Sequence, residues 1–333
     1  MIDQQEIKQY AIQNTNGMVL KVINYGATIT DIIVPDREGN FENVVLSFDS
    51  PERYLRPENP YFGATIGRFA NRIAKAEFTL DGVLYSLSKN NFGNTLHGGF
   101  KGFDKVIWET ELLDKASILM RYHSYDGEEG YPGNLLVEVI FSLSDDNSLS
   151  IQYKARTDKS TPVSLTNHSY FNLSAGKKEH ILDHELMIKS VSILAVDDLL
   201  IPTGEIQDIT EGPFDFREIK GIGRDIAATS VGYDHNFILN STLNEPAAIL
   251  FDPHSGRVME LYTDQPGLQF YSGNFLDGSL RGQSGRVYGR HAGLCLEPQQ
   301  FPDAPNQKSF PNVILQPGET YTQLSRYKFS VRY

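Results

Sequence analysis

The segment EFTLDGVLYSL, residues 77–87, consists of two short strand-like runs joined by Asp81-Gly82. Apolar and polar side chains alternate before this pair, and β-branched and aromatic side chains follow it, both of which are typical of β-strands. An Asp-Gly dipeptide tolerates the positive φ angles that a two-residue type I′ turn needs. The segment therefore predicts a β-hairpin with strands at 77–80 and 83–87.

Segments of the same kind recur along the chain, separated by Gly, Asn, Asp and Pro at intervals of roughly 8–12 residues, a spacing typical of a sandwich or barrel. Helical periodicity is scarce, and Pro51–Leu55 with Ser50 as its N-cap is the best short helix. Because no linker or internal repeat divides the chain, residues 1–333 are predicted to form one all-β domain. Further strands are predicted at residues 19–25, 27–34, 117–125, 135–143, 149–156, 185–193, 235–239, 247–251, 257–263, 267–272, 293–297 and 323–331.

Composition excludes several classes of partner. The net charge of -12 and the absence of a Lys/Arg cluster argue against nucleic acid. No apolar run approaches the roughly eighteen residues of a membrane span, and residues 1–16 lack the features of a secretory signal. Cys295 is the only cysteine and so forms no internal disulfide, which favours a reducing, cytoplasmic location.

Three motifs with possible chemistry lack the context that the chemistry needs. Gly221-Ile222-Gly223 is not part of a strand-turn-helix unit, so a nucleotide site is not expected. His180 and His184 are four residues apart but lack the order of a zinc protease motif, and a solvated turn is the favoured interpretation. Cys295 and Glu297 share one face of a predicted strand, and we expect a packed core thiol.

A set of polar residues stands in strand-like, partly apolar surroundings, where an unpaired charge or amide costs several kcal/mol to bury. Planar polar groups of this kind bind sugar hydroxyls in pairs, and aromatic rings cover the apolar faces of a sugar. The chain has 17 Tyr and 19 Phe, so a carbohydrate cleft is plausible. The polar set is Arg68, Asn71 and Arg72 in GRFANRI, His97 in NTLHGG, His168 in TNHSYFNL, Asp234 in GYDHNF, Gln269 in PGLQFYSGNF and Glu297 in LCLEPQ, with Phe69, Tyr170, Phe171, Phe270 and Tyr271 beside them.

Each of these residues also has a purely structural interpretation. Arg68 or Arg72 could connect loops, and His97 before two glycines could cap a tight turn. Asp234 could pair with the histidine that follows it, and Glu297 before a proline could be an edge-strand carboxylate facing water. Taken singly, none of them establishes a site.

Taken together, these segments closely resemble the galactose mutarotase, or aldose 1-epimerase, family over nearly the whole chain. The resemblance implies a large twisted antiparallel β-sandwich, the galactose mutarotase-like supersandwich, with the sugar on its concave face. It implies that His168 is the general acid and Glu297 the general base. Substrate-binding roles follow for Asn71, Arg72, His97, Tyr170, Asp234 and Gln269. The matching motifs are NYGATITDIIVPD, YFGATIGRFANRIAKAEFTLDG, NTLHGG, GFDKVIW, DGEEGYPGNL, TNHSYFNL, GYDHNF, PGLQFYSGNF and LEPQQFPDAPNQKSFPNVILQPGETY.

The implied reaction interconverts the α and β anomers of a free aldohexose such as galactose or glucose. It removes a proton from the C1 hydroxyl and delivers one to the ring oxygen, which Glu297 as carboxylate and His168 as imidazolium can do. Neither a metal nor an organic cofactor is expected. The expected partner is a small-molecule sugar, with no nucleic acid or membrane, and the chain is expected to be a monomer or weak homodimer.

Two alternatives of a different class remain. Related sandwiches can keep a cleft without chemistry, which would make this a non-catalytic carbohydrate-binding module. Carboxylates beside a sugar also suit a glycoside hydrolase. A sugar-phosphate epimerase would need additional Arg or Lys for the phosphate, which the acidic composition does not favour.

Overall fold

The computed structural model describes residues 6–240 and 242–333, and its regular structure is almost entirely β-strand. The first five residues of the polar segment 1–16 lie outside the described part. Within the two described ranges there is no α-helix, and no helix there is long or apolar enough to cross a membrane. The 3₁₀ turns in these ranges are Pro51–Leu55, Ala74–Ala76, Phe103–Lys105, Glu128–Gly130, Ile226–Ala228, Gln283–Gly285 and Ala304–Asn306.

The strands are numbered in chain order. The first half of the chain contains β1 (Gln9–Gln13), β2 (Val19–Ile23), β3 (Thr28–Pro35), β4 (Phe41–Asn43), β5 (Thr65–Ile66), β6 (Arg72–Ile73), β7 (Glu77–Leu80), β8 (Val83–Ser86), β9 (Thr95–Leu96), β10 (Glu109–Leu112), β11 (Ser117–Ser124), β12 (Leu135–Ser144), β13 (Ser148–Thr157), β14 (Thr161–Pro162) and β15 (Thr166–Asn167). The second half contains β16 (Glu185–Ile188), β17 (Ser192–Val196), β18 (Pro202–Asp208), β19 (Lys220–Gly221), β20 (Asp234–Ile238), β21 (Ala248–Phe251), β22 (Arg257–Thr263), β23 (Gly267–Tyr271), β24 (Cys295–Gln299), β25 (Ile314–Leu315) and β26 (Tyr321–Val331).

These strands form large antiparallel sheets and several short ladders. The nine-stranded sheet has the order β10-β11-β12-β13-β26-β22-β21-β16-β19, and the five-stranded sheet has the order β18-β17-β20-β23-β24. A four-stranded meander, β1-β2-β3-β4, completes the large sheets, and two-stranded ladders join β5 to β15 and β6 to β9. The C-terminal strand β26 lies between β13 and β22, so it connects the two halves of the chain.

The core lies between the sheets. Strand β12 alternates buried and more exposed residues along its length, with Val137, Val139 and Phe141 on the buried face. The same apolar cluster includes Phe237 and Phe270 from the five-stranded sheet. Since the inner faces of two antiparallel sheets share one core, the predicted all-β sandwich is confirmed.

The predicted hairpin at residues 77–87 is present as β7 and β8, paired from Glu77 opposite Ser86 to Leu80 opposite Val83. The turn residues Asp81 and Gly82 have φ of 51° and 77°. Positive φ at both central positions is the signature of a type I′ turn, as the Asp-Gly pair predicted.

Two local predictions were wrong. The strand predicted at 185–193 is two strands, β16 and β17, which belong to different sheets. The solvated turn predicted for His180 and His184 is incorrect for His184, which is fully buried and accepts a hydrogen bond from the Leu173 N–H at its Nε2. The Pro51–Leu55 helix is present as a 3₁₀ turn, and the Ser50 side chain makes no capping bond.

Candidate active site

Three neighbouring strands of the five-stranded sheet carry polar side chains on one face. Residues at alternate positions of a strand share a face, and the opposite face, with Phe237 and Phe270, packs in the core. Register places Asn236 beside Gln269 and Gln269 beside Glu297. Asp234 lies in the next row of the same face. The sheet therefore presents two amides and two carboxylates side by side.

His168 reaches this face from the segment after β15. Its backbone N–H donates to the Ala64 carbonyl, and its carbonyl accepts from the Gly63 N–H. These bonds extend the β5-β15 ladder by one residue and fix the position of the histidine backbone. The imidazole Nε2 then lies 3.7 Å from Oε1 of Glu297. Two residues 129 positions apart in sequence are thus brought within reach of one small ligand.

Asn71, Arg72 and His97 are held by the ladder of β6 and β9. Asn71 and His97 exchange hydrogen bonds, because the His97 N–H donates to the Asn71 carbonyl and the Asn71 N–H donates to His97 Nδ1. Both residues have positive φ, 64° at Asn71 and 51° at His97, and this conformation costs energy for residues other than glycine. The Asn71 side chain accepts from the backbone N–H of Arg72 at 2.9 Å. This loop holds His97 5.2 Å from His168 between ring centroids.

The hydrogen bonds determine what each group can offer a ligand. His97 Nδ1 accepts the Asn71 N–H, so the neutral ring carries its proton on Nε2 and is a hydrogen-bond donor there. Gln269 donates from Nε2 to Oδ1 of Asp234 at 2.7 Å. Oε1 of Gln269 and Oε2 of Glu297 have no hydrogen-bond partner within the described residues. Unpaired buried acceptors of this kind fit the hydroxyl donors of a sugar.

A metal would have to use the same groups. One ligand atom each from His97, His168 and Glu297 lies within 4.8 Å of the others. A metal ligand, however, must offer a lone pair, and the Asn71 N–H already uses the lone pair of His97 Nδ1, which leaves Nε2 protonated. The hydrogen-bond pattern therefore suits hydroxyl groups better than a cation.

Burial shifts the pKa of both reactive groups. It lowers the pKa of His168 to about 4, because the imidazolium loses its hydration. It raises the pKa of Glu297 well above its usual value; the negative charge of Asp234 acts in the same direction, and the positive charge of Arg72 opposes it. Burial raises the pKa of Glu297 and a nearby arginine lowers it, and the sequence did not show which effect is larger. In the structure the effect of burial is larger. Both shifts favour the uncharged forms.

Aromatic residues line one side of the two histidines. Tyr170 stacks on His168 with a centroid separation of 5.1 Å, and its hydroxyl donates to the Pro60 carbonyl. Tyr61, which sequence reasoning missed, lies 4.7 Å from His97 and 5.7 Å from His168. Its φ of 65° places it in a conformation unusual for tyrosine. The feature of the sequence that could have identified Tyr61 as a site residue is its position at the start of the YFGATIGRFANR motif.

Several of the structural interpretations can now be decided. Arg68 connects loops, because its guanidinium donates to the Pro132 and Gly133 carbonyls and to two hydroxyls. Glu297 does lie on an edge strand, but it is only 2% exposed and does not face water. The Asp234 side chain bonds Gln269, and the Asp234 backbone N–H donates to Nδ1 of the following histidine at 3.2 Å. Three of the aromatic residues expected beside the site pack in the core instead: Phe69, Phe171 and Phe270.

The structure thus gathers His168, Glu297, His97, Arg72, Asp234 and Gln269 at one buried polar site. Each of these side chains is at most about a tenth exposed. Asn71 supports the site through its backbone and its contact with Arg72, and Tyr170 packs behind His168. Facing donors and acceptors around a histidine-carboxylate pair can bind a polyhydroxylated ring and move protons to and from it.

Known proteins resemble this chain over nearly its whole length. The family model described as aldose 1-epimerase matches residues 8–328. The galactose mutarotase of Bos taurus is 48% identical over 327 residues, covering 98% of this chain and 94% of that protein. The aldose 1-epimerase of Escherichia coli is 38% identical, covering 98% and 96%. The solved structure of an aldose epimerase homologue from C. elegans has a TM-score of 0.93 at 29% identity, covering 98% of this chain and 100% of that one.

The fold and these matches define an enzyme of the isomerase class. The chain belongs to the aldose 1-epimerase family.

Proposed function

We propose that this protein interconverts the α and β anomers of free aldohexoses, galactose and glucose, with His168 and Glu297 as the proton-transferring pair. The observation that supports it most directly is the 3.7 Å separation of His168 Nε2 and Glu297 Oε1 inside a buried polar site. Membership of the aldose 1-epimerase family and the similarity to galactose mutarotases favour the same activity.

The reaction needs two proton transfers in each direction. The Glu297 carboxylate takes the proton of the C1 hydroxyl while the His168 imidazolium protonates the ring oxygen, and the C1–O5 bond breaks to give an aldehyde. Rotation about the C1–C2 bond turns the other face of the aldehyde towards the C5 hydroxyl. Ring closure then reverses both transfers and restores the enzyme.

The pKa shifts are compatible with this cycle. Before ring opening the pair is carboxylate and imidazolium, and in the open-chain intermediate it is carboxylic acid and neutral imidazole. Both arrangements hold one proton, and they differ only in which residue carries it. Burial favours the uncharged arrangement, which is that of the intermediate, while attraction across 3.7 Å stabilises the charged one. Burial and this attraction therefore act in opposite directions on the proton transfer.

The remaining polar residues are assigned to sugar binding. His97 Nε2–H and Arg72 are donors, and Gln269 Oε1 and Asp234 are acceptors for the hydroxyl groups. Asn71 and Tyr170 border the site and hold its hydrogen-bond donors and acceptors in place. Pre-arranged partners of this kind limit the entropy lost on binding.

The test is polarimetry on freshly dissolved α-D-galactose at low temperature. His168→Ala and Glu297→Gln should each lower the catalysed rate by about 10²–10⁴-fold, the usual contribution of a positioned acid or base. Matched controls are His123→Ala and Glu109→Gln, which change the same residue types at exposed positions and should leave the rate unchanged. Near-wild-type rates in either site variant, with the folded state intact by circular dichroism, would remove these roles.

The alternative classes give different results in the same preparation. A non-catalytic sugar-binding module would bind galactose without accelerating anomerisation. A glycoside hydrolase would release reducing sugar from a nitrophenyl galactoside. The 3.7 Å contact between Glu297 and an imidazole favours the epimerase.

We further propose that residues 1–333 act as one domain and as a monomer or weak homodimer in the cytoplasm. The site is made from residues of a single chain, and β26 pairs with both β13 and β22 from distant parts of that chain. The single thiol, Cys295, is buried and unpaired, as suits a reducing compartment. Analytical ultracentrifugation tests the oligomeric state.

A further inference from the structure

The imidazole of His168 contacts two side chains from one face of β24. Cys295 and Glu297 are alternate residues of that strand and therefore point to the same side. Nε2 of His168 faces Glu297 Oε1 at 3.7 Å, and Nδ1 lies 3.4 Å from the Cys295 sulfur. All three side chains are almost fully buried. Each ring nitrogen thus has one partner, and both partners come from the same strand.

We propose that Cys295 is a positioning residue whose thiol orients the His168 ring and, in the enzyme without sugar, keeps a proton on Nε2, the nitrogen assigned to the sugar side. This inference rests on the proposed function, in which His168 Nε2 protonates the ring oxygen. No bond to sulfur forms or breaks, and no electrons are transferred.

A thiol suits this position because it can both donate and accept. When His168 is neutral before the reaction, the S–H donates to Nδ1 and the ring proton stays on Nε2. When His168 is an imidazolium, and again after it has given its Nε2 proton to the ring oxygen, Nδ1–H donates to the sulfur, so Nε2 is free to take the proton back on ring closure. A carboxylate at this place could only accept and would hold His168 in its charged form, whereas an aliphatic side chain would leave Nδ1 without a partner in both states.

Cys295 remains a neutral thiol in this setting. Burial raises the pKa of the thiol well above its usual value, and the negative charges of Glu297 and Asp234 act in the same direction. The S–H is therefore present throughout the pH range in which the enzyme would work. Among the described residues, the other rings that face His168 are those of Tyr61, His97 and Tyr170. Arg72 and Asp234 are the further charges that act on Glu297.

Packing is the other role that Cys295 has, since it belongs to an apolar cluster with Tyr170 and Tyr271. The variants must separate the two roles. Cys295→Ala removes the hydrogen-bonding atom, and Cys295→Ser keeps a donor and acceptor of nearly the same size. Leu296→Val is the matched control, because it trims a buried side chain on the opposite face of the same strand without touching His168.

The first measurement is the histidine ¹⁵N NMR spectrum of the full chain without sugar, with His168 assigned from the His168→Asn variant. In the wild type and in Cys295→Ser, neutral His168 should be protonated on Nε2. In Cys295→Ala a substantial share should be protonated on Nδ1, because the S–H donor that excluded this form is gone. A predominantly Nε2-protonated His168 in Cys295→Ala would overturn the proposal.

The second measurement is the pH profile of kcat and KM for α-D-galactose. Cys295→Ala should lower kcat about tenfold, less than loss of the acid itself, with KM within about twofold. The part of the pH profile that reflects the titration of His168 should move to lower pH, because the imidazolium loses the acceptor of a charge-assisted hydrogen bond. Cys295→Ser should restore the profile, and Leu296→Val should change thermal stability only. An unshifted profile in Cys295→Ala would contradict the positioning role.

The two proposals fail in different ways. If the wild type does not accelerate anomerisation, the proposed function is wrong, and the NMR comparison still decides whether Cys295 sets the tautomer. If the wild type is active and His168→Ala is inactive while Cys295→Ala keeps both the wild-type tautomer and profile, only the positioning role is wrong.

Discussion

Two nearby arginines in GRFANRI show how the same residue type serves two purposes. Arg68 is 2% exposed and its guanidinium bonds carbonyl and hydroxyl oxygens of other loops, whereas Arg72 borders the histidine-carboxylate site. Arg68→Met should therefore lower the free energy of unfolding by roughly 2–4 kcal/mol, since buried carbonyls lose charged donors, with kcat of the folded fraction little changed. Chemical denaturation followed by polarimetry measures both quantities.

Arg72→Met is the matched counterpart. It should lower kcat/KM by at least about tenfold, because a donor to the sugar and the positive charge that partly offsets the raised pKa of Glu297 are both lost. Its unfolding free energy should change by less than about 1 kcal/mol, because the contacts that Arg72 makes with Asn71 and Asn91 are few and long. The same outcome for both arginine variants would show that the two roles are not separate.

The bond between Gln269 and Asp234 predicts a binding defect rather than a chemical one. Asp234→Ala removes an acceptor of sugar hydroxyls and also leaves the Gln269 amide unpaired. A charged hydrogen bond contributes roughly 1.5–3 kcal/mol, so KM should rise about tenfold or more, with a smaller change in kcat. Gln269→Ala should have the same direction. Unchanged KM and kcat in both variants would exclude these residues from sugar binding.

The residues of the site could be predicted from sequence only in part. The polar set was visible because charged and amide side chains stood in apolar strand patterns, and the family motifs assigned roles to them. What the residue types alone could not supply was the distance between His168 and Glu297, which depends on how separate segments meet. Tyr61 was missed because its one signal was its position at the start of a family motif, and its residue type did not distinguish it from the other tyrosines.

At the scale of elements, the long strands were predicted well and the short ladders were not. Strands β11, β12, β13 and β22 agree with the sequence patterns to within a residue or two, because they alternate over many positions. The ladders that hold the site residues, β5-β15 and β6-β9, are two residues long and have no periodicity to detect. Long-range contacts form them, and Asn71 and His97 beside the β6-β9 ladder have positive φ.

Gly63 tests the importance of the β5-β15 ladder. It has a φ of 66°, and a Cβ there would lie 1.8 Å from the Ile29 carbonyl oxygen, which cannot move without shifting β3. Because the Gly63 N–H also bonds the His168 carbonyl, Gly63→Ala should lower both stability and kcat. Thermal unfolding and polarimetry measure the two effects.

Gly82 provides the control, since it has a similar φ of 77° but, among the described residues other than its two chain neighbours, no atom lies within 4 Å of the place that an added Cβ would take. Gly82→Ala should cost only the backbone strain, about 1 kcal/mol, and leave kcat unchanged. Equal effects of the two alanine variants on kcat would show that the ladder does not position His168.

At the scale of the whole molecule, the core and the site lie on opposite faces of one sheet. Phe237 and Phe270 anchor the five-stranded sheet in the core, and Gln269 and Glu297 project from its other face. The alternation of a β-strand therefore connects a stable core directly to the site residues Gln269 and Glu297. Rigid support of this kind keeps the distances between acid, base and sugar-binding groups constant.

The buried histidines should make the stability of the whole molecule depend on pH. Burial lowers the pKa of His184 to about 4, so between its ordinary pKa of 6.5 and about 4 only the unfolded state is protonated there. The stability that this neutral histidine provides is fully present above pH 6.5 and is lost as the pH falls towards 4; at pH 5 the loss is about 2 kcal/mol. His184→Gln keeps an acceptor for the Leu173 N–H but does not titrate, so it should lose about 2 kcal/mol less than the wild type between pH 7 and pH 5. Urea unfolding at the two pH values measures this, with His123→Gln at an exposed position as the control. An equal loss in the wild type and His184→Gln would show that His184 is protonated in the folded protein.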